Sequence, residues 1–192
     1  MRRLPLIGVT SPVSPLSSYA TTAAAGFAAS SAPFVLMYPA DDDYNAGILD
    51  TMVTMAESGC DIVCASRFMP GGSMMGCPWL KATLVRCANF TLYHLAHLPT
   101  RDASNGFRMF SQRVIRTIPV ESTAGFCYSI ELLVKAHRRG WRIGEVSAKW
   151  MQRKHGESRF RVLRWLPAYL RWYFYAFATS WLRLRDGSAV RA

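Results

Sequence analysis

The sequence predicts an α/β layered domain, and three observations carry that prediction. Residues 34–38 (Phe-Val-Leu-Met-Tyr) and 61–65 (Asp-Ile-Val-Cys-Ala) are compact apolar runs of strand length. Between them Ile48, Leu49, Met52, Met55 and Ala56 recur at helical spacing. Three adjacent acids, Asp41, Asp42 and Asp43, follow the first run. The order is therefore strand, acidic loop, helix, strand. It puts carboxylates at the carboxyl end of a strand, where open α/β sheets place ligands.

Each element has its own reason. Residues 1–18 are rich in Pro and Ser, lack a period and read as an irregular segment. Residues 19–30 are Ala-rich and suit a short helix. The first strand ends at Pro39, and the helix over 46–58 stops at Gly59. Pro70, Gly71, Gly72 and Gly76 make 69–77 a flexible loop. A helix is expected over 78–97, a polar turn leading into a short strand over 102–110, a helix over 128–139 and a strand over 143–150. No internal repeat appears. The organisation is an irregular 1–18, a core domain over 19–159 and a helical tail over 160–192.

The tail carries Phe160, Leu163, Leu166, Leu170, Phe174, Phe177, Trp181 and Leu184, spaced by three or four, as one apolar stripe. Arg161, Arg164 and Arg171 fall on another face, and Pro167 should kink or split the helix. Two readings stay open. The helix packs on the domain with solvated arginines, or it lies on anionic lipid with Trp165, Trp172, Tyr173 and Tyr175 at headgroup depth. No segment reaches the roughly 20 apolar residues that a spanning helix needs.

Composition narrows the functional classes. Hydrophobic residues make up 51% and charged ones 18%, which excludes general disorder. Twenty-three basic against twelve acidic residues give +11, so the partner should be anionic. No helix-turn-helix, zinc or RNA-recognition signature accompanies that charge, and no nucleic-acid partner is expected. Five cysteines without tight spacing read as buried free thiols. Met1 to Val9 carries two arginines and a short apolar stretch, but Pro5 and two Ser-Pro pairs follow, and no export leader is expected.

Adjacent carboxylates repel and stay ionised together only if a cation or hydrogen-bond donors compensate. From a turn, Asp41 and Asp43 could both reach one hard divalent ion, magnesium or manganese, of the kind that bridges protein oxygens to phosphates. A solvated acidic loop capping the next helix is the other reading.

Further segments recur in one order. Pro39-Ala40-Asp41-Asp42-Asp43 is followed by Ala65-Ser66-Arg67-Phe68 with Gly71-Gly72. Then come Asp102-Ala103-Ser104-Asn105-Gly106-Phe107-Arg108, Gly125-Phe126 with Glu131-Leu132-Leu133, and Arg153-Lys154-His155-Gly156-Glu157-Ser158-Arg159. Over about residues 19 to 175 this set resembles family 2 glycosyltransferases of the dolichol-phosphate mannosyltransferase type. The resemblance implies a GT-A-like, partly Rossmann-like fold, a nucleotide-sugar donor, a divalent magnesium or manganese ion and a polyprenyl-phosphate or other acceptor. It also implies a peripheral position at a membrane surface, on the cytoplasmic face of the cell membrane.

By position, the resemblance assigns Asp41 to the second acid of an Asp-x-Asp-type signature, with Pro39 in place of the first, and Asp43 to the metal. Arg67 would meet an acceptor phosphate, and Lys81 falls near a second such position. Asp102, Ser104, Asn105 and Gly106 match a loop beside the donor sugar. Arg153, Gly156, Ser158 and Arg159 match an Arg-x-x-Gly-x-Ser-Lys segment. The resemblance departs at the front. Only 40 residues precede Asp41, without a Pro-x-Tyr-Asn-Glu-like segment, so most of the nucleotide-binding half is expected to be missing. That would leave an open sheet edge and point to a partner chain or homo-oligomer.

The chemistry expected is inverting sugar transfer. Asp41 and Asp43 would hold the metal that neutralises a departing diphosphate. Arg153 and Arg159 would add fixed positive charge. Asp102 is the candidate base should the acceptor be a hydroxyl. Bland readings remain beside these: Arg67 as a surface cation, 102–106 as a tight turn, and Glu131 with Lys135 as a surface ion pair. A non-catalytic membrane-surface protein derived from a glycosyltransferase is the alternative function.

Overall fold

The computed structural model describes residues 19–39, 42, 44–151 and 162–181. Asp41, Asp43, Arg153, Gly156, Ser158 and Arg159 lie outside the described residues, as do the irregular 1–18 and the last residues of the tail.

The predicted elements appear in order. Helix α1 is Tyr19–Ala29 and strand β1 is Phe34–Met37. A 3₁₀ turn, Ala46–Ile48, leads into α2, Leu49–Glu57. Strand β2 is Ile62–Ser66, β3 is Ser73–Met75 and α3 is Trp79–His94. Strand β4 is Arg108–Ser111, followed by α4, Gln112–Thr117 and α5, Cys127–Arg138. Strands β5, Ile143–Ser147 and β6, Lys149–Met151, precede the long helix α6, Val162–Trp181.

The main sheet has the order β1-β4-β2-β5. β4 runs antiparallel to both neighbours, and β2 runs parallel to β5. β2 is buried along its whole length, which is why it reads as an unbroken apolar run. Its side chains alternate between two cores. Ile62 and Cys64 join Phe27, Phe110, Tyr128, Leu132 and Trp172 on one face. Val63 and Ala65 join Met52, Ala56, Phe107, Met109 and Val146 on the other. The sheet is thus sandwiched, with α2 on one side and α1, α5 and α6 on the other. α2 ends where Gly59 turns at φ +96.

Four sequence expectations change. The 69–77 loop contains β3, which pairs parallel to β6 as a second small sheet. The single strand expected over 143–150 breaks at Ala148, because its first half joins the main sheet and its second half joins β3. α4 is an additional short helix, capped by Ser111 Oγ, which accepts from the Val114 N–H. α6 runs as one helix through Pro167, so the proline does not split it.

α6 packs on the domain. Trp172 and Ala176 are buried, and Trp172 Nε1 donates to Ser122 Oγ at 2.8 Å. Tyr173 Oη meets Thr91 Oγ1 of α3 at 2.7 Å, and Arg138 of α5 donates to Tyr175 Oη. Three aromatics that could have sat at headgroup depth thus spend their polar tips on the protein. Leu166, Leu170 and Phe174 remain exposed along the helix.

The pair Glu131–Lys135 is not a surface pair. Glu131 is fully buried, and Lys135 nearly so. The Glu131 carboxylate accepts from the backbone N–H groups of Glu121 (2.7 Å) and Ser122 (2.8 Å) and from Lys135 Nζ (2.6 Å). Lys135 also donates to Glu121 Oε1 and to the Pro119 carbonyl, while Arg171 of α6 reaches the other Glu121 oxygen at 2.7 Å. Both carboxylate oxygens are thereby answered, and the cluster clasps α6 to α5. Removing the carboxylate strands two backbone donors and takes one of two anionic partners from the buried Lys135 ammonium. Glu131→Ala should lose about 3–5 kcal/mol of unfolding free energy, measured by urea denaturation; a loss no larger than that of an exposed substitution would contradict this role.

Candidate functional site

At the carboxyl end of β2 the chain delivers Arg67 to the turn that precedes β4. Asp102 in that turn is fully buried, and its carboxylate takes five donors. Arg67 gives three of them: Nε to Oδ2 at 2.7 Å, Nη2 to Oδ1 at 2.9 Å and the backbone N–H to Oδ2 at 3.0 Å. Ser104 Oγ (2.9 Å) and the Asn105 N–H (3.1 Å) complete the set on Oδ1. A two-pronged guanidinium–carboxylate contact fixes both groups in one plane. Burial alone would raise the Asp102 pKa. The Arg67 charge, the Arg67 hydrogen bonds and Ser104 outweigh it and hold the carboxyl below the ordinary 3.8.

The turn is tied on every side. Ser104 Oγ also accepts from Arg67 Nη2 at 2.7 Å and from Asn89 Nδ2 of α3 at 3.0 Å. Asn89 Oδ1 accepts the Ala103 N–H at 2.7 Å. Asn105 Nδ2 donates to the Ala65 carbonyl of β2, and Asn105 Oδ1 accepts the Phe107 N–H. Gly106 lies against the Phe126 ring, which a Cβ would meet at 3.3 Å. Upstream, Glu145 of β5 accepts from Thr100 Oγ1, from the Arg101 N–H and from Arg101 Nη1. Gly72 passes so close to the Arg67 backbone that a Cβ there would stand 2.6–2.7 Å from main-chain atoms, so only glycine fits.

A second arginine stands behind the turn. Arg108 on β4 is fully buried, and its guanidinium donates to the carbonyls of Ser129, Asp102 and Ala103. Its Nε has no hydrogen-bond partner among the described residues. A second guanidinium therefore braces the backbone of the turn that carries the carboxylate. Arg67 retains 12% of its side-chain exposure, and its Nη1 donates to Met74 Sδ at 3.8 Å.

The acidic turn is partly in view. Asp42 Oδ1 accepts the N–H groups of Tyr44 and Asn45 at 3.0 Å, and its Oδ2 accepts Asn45 Nδ2. The middle acid is therefore spent on the turn itself. Asn45 is buried and exchanges two hydrogen bonds, both 2.8 Å, with the Lys149 backbone of β6. The acidic turn and the strand leading toward Arg153 are thus stitched together. Lys81 sits half-buried on the first turn of α3. Among the described residues no three His, Cys, Asp or Glu side chains converge as a metal site. The cysteines are free; Cys60, Cys64 and Cys127 are buried as expected, whereas Cys87 is exposed.

Of the residues singled out in the sequence, Arg67, Asp102, Ser104 and Asn105 meet in one network. Asn89 and Glu145 were not singled out, Arg108 was named only as the end of the 102–108 segment, and the three complete it. A polar residue in the apolar stretch of α3 and an arginine inside an apolar strand were their only signals. The depressed Asp102 pKa carries a pH consequence. A carboxyl whose folded pKa lies below its unfolded one contributes stability above the unfolded value and loses it as pH falls through the folded value. Asp102→Asn should be less stable than the native chain at neutral pH, and the gap should close below pH 3.8; urea midpoints across that range check it.

No family model matches the chain. The chain is similar to the polyprenol monophosphomannose synthase of Mycolicibacterium smegmatis, 25% identical over 138 residues, covering 66% of this chain and 52% of that protein. Uncharacterized glycosyltransferases of Mycobacterium bovis and Mycobacterium tuberculosis are each 27% identical over 147 residues, covering 77% of this chain and 66% of theirs. The chain therefore spans between half and two thirds of these relatives. These similarities support the resemblance to family 2 glycosyltransferases of the dolichol-phosphate mannosyltransferase type.

Proposed function

We propose that the chain carries out metal-dependent, inverting transfer of a sugar from a nucleotide-sugar donor to a polyprenyl-phosphate acceptor at a membrane surface. The observation that supports this most is the Arg67 fork, locked by buried Asp102 and Ser104 with Nη1 spent only on a thioether, a weak acceptor that an anion would outcompete. A relative of this chain bears the name polyprenol monophosphomannose synthase, and an acceptor of that class presents a phosphate.

The roles follow from charge. An acceptor phosphate is already an anion and needs no strong general base. Asp102, buried and held ionised by five donors, acts in this reading as the residue that aims Arg67, and not as a proton acceptor. Arg67 would steady the acceptor's charge, with Lys81 on α3 as a further cation. The new bond joins a phosphate oxygen to the anomeric carbon, while the bond from that carbon to the diphosphate breaks on the opposite face.

Asp41 and Asp43 would hold magnesium or manganese. Their hard carboxylate oxygens suit such an ion, and Asp42 is committed to its turn and does not compete. When bound, the ion supplies Lewis-acid stabilisation of the departing diphosphate. Arg153, Ser158 and Arg159, in the segment after β6, would add donors to the same oxygens.

Calorimetry with a nucleotide-sugar in the presence of manganese tests the donor half. Asp41→Ala and Asp43→Ala should each weaken binding, and absence of donor binding by the native chain would overturn catalysis. Asp102→Asn should keep donor binding while lowering transfer about 100-fold, because the fork loses its aim. Arg67→Lys, which restores charge without the fork, should not rescue it.

A further inference from the structure

The far rim of the main sheet carries positive charge that the proposed reaction does not use. Arg67 and the acidic turn follow the carboxyl ends of β2 and β1. β4 runs the other way, so α4, which follows it, and the start of β5 lie at the amino ends of those strands. β2 has five residues, which separates the two rims by about 17 Å. On the far rim the chain leaves α5 through Gly140 at φ +72, and the Trp141 N–H donates back to the Ala136 carbonyl at 3.1 Å. That turn seats the Trp141 ring against the core, beside two arginines from different helices. Arg113 of α4 stands 4.4 Å from the ring centroid, and Arg139, just past the last residue of α5, stands 5.8 Å from it. Arg116 lies one turn along α4 from Arg113.

No carboxylate answers these cations. Among the described residues none of the three takes part in an ion pair. Arg116 and Arg139 each give one nitrogen to a backbone carbonyl, of Ser30 and Lys135, which leaves their charge in place. The Arg113 side chain is exposed and makes no hydrogen bond among the described residues. Asp61, at the same rim, accepts Ser111 Oγ and the Arg142 N–H, and neither is a guanidinium.

We propose that Arg113, Arg116 and Arg139, set around Trp141, form a docking site for an acidic segment of a partner protein. Stacking on the ring holds two guanidiniums in place with N–H groups to spare, so little side-chain freedom is lost when carboxylates arrive. The surroundings choose among anionic partners. A bilayer needs apolar side chains to insert, and a nucleic-acid strand needs open aromatic faces to stack on. The exposed large apolar side chains of the described residues fall within 38–95 and 166–174, and none falls between 108 and 147. The Trp141 ring is already stacked by guanidiniums. Carboxylates along an extended acidic segment ask for cations alone. The site is independent of sugar transfer, because none of the described residues proposed for transfer belongs to it.

The test uses the full chain and fluorescence anisotropy of a labelled peptide of alternating Glu and Ser. The chain should bind that peptide and not its Gln-Ser counterpart. Arg113→Gln should weaken binding about five-fold, the upper worth of one exposed ion pair. Arg113→Lys, which keeps the charge without the planar fork, should recover only part of the loss. Trp141→Leu should weaken binding although no charge changes, because the ring no longer holds the guanidiniums. Arg86→Gln removes an exposed arginine from α3, outside the site, and should leave binding unchanged. Equal losses for Arg86→Gln and Arg113→Gln would reduce the effect to net charge and overturn the proposal. So would failure to bind the acidic peptide, no loss in a folded Trp141→Leu, or tighter binding through Arg113 of an oligothymidylate or of phosphatidylserine vesicles. Arg113 is exposed, so its substitution does not threaten the fold, and circular dichroism verifies that of the Trp141 variant.

Discussion

A carboxylate with no access to water organises this molecule. Asp102 would be intolerable alone, since an unpaired buried charge is strongly disfavoured. Three donors from Arg67, the Ser104 hydroxyl and the Asn105 N–H make it tolerable, and these partners tie in further elements. The Arg67 backbone and side chain bring the end of β2. Ser104 brings Asn89 and with it α3. Thr100 links the turn to Glu145 on β5 through the Asp102 N–H. The charge therefore acts as a junction: elements distant in sequence meet around one buried anion, its donors and the groups that brace them.

The junction also fixes sign. Arg108 donates to carbonyls behind the turn and Arg67 grips its carboxylate in front, so guanidiniums stand on both sides of the turn. The acidic turn after β1 lies beyond the carboxyl end of another strand of the same sheet, and β1 and β2 point the same way because both run antiparallel to β4. A sheet so arranged offers a positive and a negative centre on one rim. That division suits the proposed reaction, in which an anionic acceptor and a cation-bound diphosphate must approach one carbon from opposite sides.

Local pattern made most of the fold legible. β2 reads as buried because both its faces are covered, and α2 reads as a helix because Met52 and Ala56 fall on one buried side. What pattern could not show was pairing. β3 has only three residues inside a glycine-rich loop, and it is a strand solely because β6 lies beside it. Glu131 and Lys135 show why spacing misleads: four apart on a helix means adjacent, not exposed, and burial was decided by the 119–122 segment folding over them. In the site, the chemistry-bearing types were visible, while the bracing residues were not. Asn89 matters for a turn reached only through the tertiary fold.

The tail teaches the same lesson about amphipathicity. A helical stripe identifies which residues share a face but not what covers it. In α6 the covered face meets α5 and α3, and the tyrosine and tryptophan tips that might have sought headgroups bond to Thr91, Ser122 and Arg138. What is left outward is a narrower line, Leu166, Leu170 and Phe174. α3, bonded to α6 through Thr91, turns Trp79, Leu80, Leu84 and Phe90 outward as well. Exposed apolar surface in this protein is therefore shared by two helices that touch, and one of them carries Asn89 into the Asp102 junction. Any surface that engages α3 from outside acts on the same rigid helix that braces the Arg67 fork, which ties the environment of the chain to its chemistry through a single side chain.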